Sequence, residues 1–138
     1  MKKLLLILSV GLLTGCSTMT TLYNSYFLAK YDTNEYNIIN IVKTKAIVAQ
    51  DECNDRQKTI DNVKTIYEKS YEFRNFTFHI PRNKDAQAMS EKLLKLTTDT
   101  KEYYQKNEKV SDIFCKSRYQ QIARAADTIQ ATLGSKPR

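Results

Sequence analysis

Apolar residues recur at intervals of three and four over most of the chain. Ile39, Val42, Ala46, Ala49 and Cys53, then Ile60, Val63 and Tyr67, fall on one such series, interrupted only by Arg56. This is the spacing of a helix face, with a seam suited to packing against other helices. Asp32-Thr33-Asn34 supplies an N-cap for it. The run over residues 50–55, QDECND, is the one place where the helix would break and restart. The pattern is compatible with one long helix or two shorter ones over residues 33–73.

Residues 73–81, FRNFTFHIP, read differently. Phe76, Phe78 and Ile80 alternate, which predicts an extended segment, and Pro81 disfavours the α conformation at Ile80. Asn83 or Asp85 then caps a further helix, whose face is Ala86, Met89, Leu93, Leu96 and Tyr103 with Thr100 between them. The phase slips near Asn107, and Ser111-Asp112 offers a fresh cap. A last face follows through Cys115, Tyr119, Ile122, Ala126, Ile129 and Leu133. Gly134 stands where a C′ stop is expected, and Pro137 bars resumption. The expected fold is all-α: an antiparallel bundle of three or four helices within residues 22–138, with one extended segment near 73–81. Composition agrees. Only 3 Gly and 2 Pro leave little room for a turn-dense β architecture, and 41% hydrophobic with 27% charged residues suits a packed core.

The first residues follow another logic. Met1-Lys2-Lys3 is a short positive stretch, and residues 4–13, LLLILSVGLL, carry no charge. Such a run is too short to span the roughly 30 Å hydrocarbon layer, but it has the length of the apolar part of a secretion signal. It ends in Leu13-Thr14-Gly15-Cys16. This resembles the lipobox of bacterial lipoproteins, in which an aliphatic residue and two small residues precede an invariant cysteine. The resemblance implies a diacylglyceryl group on the Cys16 thiol, cleavage between Gly15 and Cys16, and acylation of the new amine with a fatty acid such as palmitate. Ser17, where Asp would favour retention at the inner membrane, implies export to the outer membrane. Two or more acyl chains anchor a protein stably where one does not. Residues 1–15 are then a signal peptide and residues 16–21 a lipidated tether. The five tether residues after Cys16 reach under about 20 Å, so the folded part starts close to the membrane.

Processing changes the charge and the cysteine inventory. Loss of Lys2 and Lys3 lowers the net charge from +7 to +5. In an exported chain a mild basic excess does not argue for nucleic acid, and anionic lipid, phosphate or an acidic partner remain as targets. Lysines spread singly along helices also read simply as solvated faces. With Cys16 lipidated, Cys53 and Cys115 remain, and in an oxidising compartment they read as one disulfide. The model of lost chain entropy gives a crosslink over 62 residues roughly 4 kcal/mol.

Little in the chain suggests catalysis. His79 is the sole histidine, beside Phe78 and before Ile80-Pro81, and reads as a turn residue. Asp51-Glu52 is an adjacent carboxylate pair whose members point apart on a helix. No phosphate-binding loop, dinucleotide fingerprint or metal-ligand spacing occurs. The expectation is a protein that is not an enzyme, with no metal, no cofactor beyond the lipid on Cys16, and no small-molecule substrate. Tyr23, Tyr26, Phe27, Tyr31 and Tyr36 cluster just after the tether. They suit an interfacial belt, a docking face, or a cap on the bundle core. Ile38, Ile41, Ile47 and Val48 widen the apolar surface beside them. Contact with a partner or membrane is therefore expected through Tyr23, Tyr26, Phe27 and Tyr31.

These features point to a non-enzymatic interaction or assembly module, lipid-anchored on the periplasmic face of the outer membrane and working on an envelope protein. The layout is similar to that of small helical pilotin lipoproteins, which carry secretin subunits to the outer membrane and contain one disulfide. That likeness is one of layout and assigns no residue a role. Alternatives are a phage- or plasmid-encoded lipoprotein for entry exclusion or envelope lysis, and an inhibitor of a cell-wall hydrolase.

Overall fold

The computed structural model describes residues 28–138. The elements run α1 (Thr33–Val48), a 3-10 turn (Ala49–Glu52), α2 (Arg56–His79), α3 (Lys84–Lys106) and α4 (Asp112–Gly134), with no strand among the described residues. Each helix packs on the next, and α4 closes the ring on α1. Directions follow from cross-helix pairs. Lys43 meets Asp127 while Asn40 meets Gln130, so α1 and α4 are antiparallel. Thr77 meets Ser90 while Tyr67 meets Lys101, so α2 and α3 are antiparallel too. The result is an up-down-up-down four-helix bundle.

Local chemistry sets the helix ends. The Asp32 carboxylate accepts from the amides of Asn34 (2.8 Å) and Glu35 (3.0 Å), capping α1. The QDECND run does break the helix. The 3-10 turn carries the chain to Asp55, whose carboxylate accepts from the Lys58 amide at 3.1 Å and starts α2. Two helices, not one, therefore occupy residues 33–73. Ser111 caps α4 by accepting from the Phe114 amide. Gly134 is not a left-handed stop: it is the last residue of α4, no glycine among the described residues has a positive φ, and Ser135 forms the cap.

The expected extended segment near 73–81 is helical as far as His79. Alternation of Phe76 and Phe78 competes there with a second spacing. Phe73 and Thr77 continue the face begun by Ile66 and Ser70, and all four are buried. Extending an existing helix needs no new nucleus, so burial overrides the strand preference of Phe and Thr. Only Ile80 is extended (φ −87°, ψ 119°), as its place before Pro81 requires.

The seam expected on α2 also differs. Its buried face is Thr59, Asn62, Val63, Ile66, Ser70, Phe73 and Thr77, whereas Ile60 and Tyr67 lie half-buried at its edge. The break before Asp55 resets the helical phase. On α3, Ala86, Leu93 and Thr100 are buried as expected, but Ser90, Thr97 and Tyr104 complete the face in place of Met89, Leu96 and Tyr103. The α2–α3 contact is thus rich in small hydroxyl side chains. Ser70, Thr97 and Thr100 donate to carbonyls three or four residues back in their own helices, which satisfies them on burial. The α4 face is as expected from Cys115 to Leu133. Tyr119 is buried one turn after Cys115, its hydroxyl donating to the Thr59 carbonyl at 3.0 Å.

Candidate functional site

The start of α1, the α2–α3 loop and the C-terminal tail meet at one end of the bundle, where the described residues begin. Glu35 is one turn before Ile39 on the buried seam and is fully enclosed. Its carboxylate accepts from Lys136 Nζ at 2.5 Å and Asn83 Nδ2 at 2.6 Å, and Lys136 also donates to Asn83 Oδ1 at 2.7 Å. Asn83 stands at the N-cap position of α3 without capping it, because its side chain is engaged with Glu35, Lys136 and the Thr77 carbonyl. A buried ion pair needs this full set of hydrogen bonds to offset the loss of solvation. The cluster clamps three chain segments together. No expectation from the sequence included it. The one available signal was the register of Glu35, four residues before Ile39.

Tyr31 lies at this end, half-buried. Its amide donates to the Pro137 carbonyl at 2.9 Å, its ring centroid is 5.8 Å from that of Tyr36, and the Arg138 guanidinium lies 5.5 Å above it. Of the expected contact residues, Tyr31 is therefore partly covered by the chain's own tail. Tyr23, Tyr26 and Phe27 lie outside the described residues, as do Gly15, Cys16 and Ser17. Of the aliphatic residues expected beside them, Ile38 is core, while Ile41, Ile47 and Val48 are exposed.

At the opposite end, Cys53 and Cys115 form a disulfide with Cα atoms 5.8 Å apart, joining the 3-10 turn region to the start of α4. Beside it a concavity of about 200 Å³ is lined by residues that include Arg56, Tyr104 and Asp112. The Tyr104 hydroxyl is buried with no hydrogen-bond partner, and burial pushes its phenol up to about 12. Burial also raises the Tyr119 phenol.

The remaining candidates for chemistry do not converge. His79 is exposed, with Nδ1 2.7 Å from the Asn75 carbonyl. Asp51 is exposed, while Glu52 turns inward to accept from Asn62 Nδ2 at 2.7 Å. Among the described residues no group of His, Cys, Asp and Glu is placed to hold a metal ion, and no helix is long and apolar enough to cross a membrane.

The outer grooves of the bundle differ in how they are closed. Between α1 and α4, Lys43 bonds Asp127 and Gln130, and Gln130 bonds Asn40, giving a polar ladder. Between α3 and α4, Tyr103 stacks on Phe114 at 4.2 Å. Between α2 and α3 the surface is aromatic and open: Tyr71 is 50% exposed and Phe78 41%. No family model, curated protein or solved structure matches the chain.

Proposed function

We propose that the protein is an outer-membrane lipoprotein whose helical domain, on the periplasmic side, is a non-enzymatic protein-interaction or assembly module for an envelope partner. The lipobox resemblance at residues 13–16 supports the anchor. The observation that carries the interaction role is the placement of exposed large apolar side chains. Ile41, Ile47, Val48, Tyr71 and Phe78 lie along the helices, and Ile113 lies at the end away from the clamp. A folded domain whose core is already filled gains no folding stability from such residues, and rows of them mark contact surfaces. The clamp of Glu35, Lys136 and Asn83 holds the tether end closed, so the sides of the bundle stay presented as one rigid body.

Two measurements test this reading. Labelling of cells with a palmitate analogue should mark the wild-type chain and not Cys16→Ala; incorporation that survives the substitution refutes the anchor. Photoreactive residues at 41, 71, 113 and 124, each in the full chain in intact envelopes, should give discrete protein adducts from at least one face. Absence of adducts from all four positions overturns the interaction role.

A further inference from the structure

The outer surface of α2 carries a second seam that the bundle does not use. Ile60, Lys64, Tyr67, Tyr71, Arg74 and Phe78 follow one another at alternating steps of four and three. This is the heptad spacing by which helices pack, and it is turned away from the buried face of Ile66 and Phe73. On α3, Glu91, Leu94, Thr98 and Lys101 repeat the same steps. The two seams face one groove. Lys101 Nζ lies 4.0 Å from the centre of the Tyr67 ring, and Arg74 reaches Glu91 at 3.8 Å. At its end near Arg56 the groove deepens to a concavity of about 330 Å³, lined by Ile60, Val63, Tyr104 and Lys101. A helix pair with a spare seam on each member is the receiving half of a three-helix contact.

Charge selects the occupant. Arg56, Lys64, Arg74 and Lys101 line the groove; Glu91 meets Arg74 at 3.8 Å and Glu68 meets Lys64 at 3.9 Å, so the basic excess there comes from Arg56 and Lys101. Arg56 binds only the Tyr104 and Asn107 carbonyls, and Lys101 rests on an aromatic face; neither forms an ion pair among the described residues. The Arg74 guanidinium likewise lies 4.1 Å over the Phe78 ring. These cations lie over the apolar floor, where an incoming carboxylate would meet them beside the rings.

We propose that the α2–α3 groove docks an amphipathic helix of the envelope partner, with an apolar stripe against Tyr67, Tyr71 and Phe78 and acidic residues against Arg56, Arg74 and Lys101. The proposal rests on the interaction-module reading and names its surface and the partner's chemistry. The probe is a fluorescent synthetic three-heptad helix with Leu at the two core positions of each heptad and Glu flanking them, titrated into the full chain in detergent micelles. An otherwise identical Lys-flanked helix is the control. The Glu helix should bind about tenfold more tightly than the Lys helix and weaken with salt. Tyr71→Ala and Lys101→Gln should each lower its affinity about fivefold or more, with Ile113→Ala unchanged. Equal binding of the two helices, binding of neither, or indifference to Tyr71→Ala overturns the proposal. So does a crosslink from position 71 in envelopes that maps to residues 1–27 of the same chain or to a second copy. Adducts from position 41 or 113 but none from 71 would overturn this docking surface and leave the interaction role standing, whereas silence at every position removes both.

Discussion

Lys136→Met tests the clamp of Glu35, Asn83 and Lys136. In the native protein Glu35 is fully enclosed and the Lys136 side chain is 10% exposed. Methionine keeps most of the apolar stem and removes the ammonium, so Glu35 is left with one donor, Asn83, and no counter-charge. Breaking a buried pair on one side typically costs about 3–5 kcal/mol, because an uncompensated charge remains in a poorly solvating site. The lower end applies here, since Lys136 lies beyond the end of α4 and is not itself held in a helix, so local opening can let water in. About 3 kcal/mol is a large part of the stability of a domain this size. With a urea dependence of about 1–3 kcal/mol per M, it moves the unfolding midpoint down by about 1–3 M. Equilibrium urea unfolding followed by circular dichroism, with the disulfide intact, measures it. Glu35→Gln added to Lys136→Met should recover more than half of the loss, because the amide needs no counter-ion and still accepts from Asn83. A loss below about 1 kcal/mol would class the pair with exposed ion pairs and refute its clamping role. So would a double variant as unstable as Lys136→Met alone, since the damage would then lie in packing and not in the stranded carboxylate.

Reduction, or Cys53→Ser with Cys115→Ser, should lower stability by about 4 kcal/mol with the helices retained in the cold, and the oxidised protein should show neither cysteine as a free thiol under denaturing conditions. Tyr104→Phe should be neutral or stabilising at pH 7, because it removes a buried hydroxyl that has no partner. The raised phenol of Tyr104 contributes stability that is fully present below about pH 10 and is lost as pH rises toward about 12, so Tyr104→Phe should unfold less readily in that window. Gly134→Ala should stabilise by up to about 1 kcal/mol in thermal unfolding, since the residue is helical and an added methyl would meet Tyr36 Cε2 at 3.9 Å, an ordinary contact.

Legibility in the sequence followed the chemistry of each seam. On α4 the buried positions are almost all apolar, and the three-four spacing identified them from Cys115 to Leu133. On α1 and the turn after it the seam from Ile39 to Ala49 was equally plain, whereas the spacing set Ile38 beside it and missed Glu35, because an acidic residue in a first helical turn is ordinary. The clamp was hidden for a further reason: Glu35, Asn83 and Lys136 are far apart in sequence, and each taken singly has a common local explanation. The disulfide was readable because the expected lipidation of Cys16 and the expectation of an oxidising compartment left Cys53 and Cys115, each on an apolar three-four series, as one pairing.

On α2 and α3 the same method found Val63, Ala86, Leu93 and Thr100 but placed the other seam positions one step away from the true ones, and the displacement has a physical basis. Hydroxyl side chains can enter a helix contact because they bond their own backbone, and their small size lets two helices approach closely. Thr59, Ser70, Thr77, Ser90 and Thr97 therefore occupy the interior, where a hydrophobic count scores them as surface. The larger residues that the count assigned to the core, Ile60 and Tyr67 on α2 and Leu96 and Tyr103 on α3, are left half-covered. A helix pair held by small polar contacts does not need its aromatic edge for its own packing. That leaves Tyr67, Tyr71 and Phe78 available in heptad register on the outside of α2. Ile60 and Tyr67, two of the residues that misplaced the α2 core, belong to that outer row, and the docking proposal gives the row a use outside the four-helix bundle.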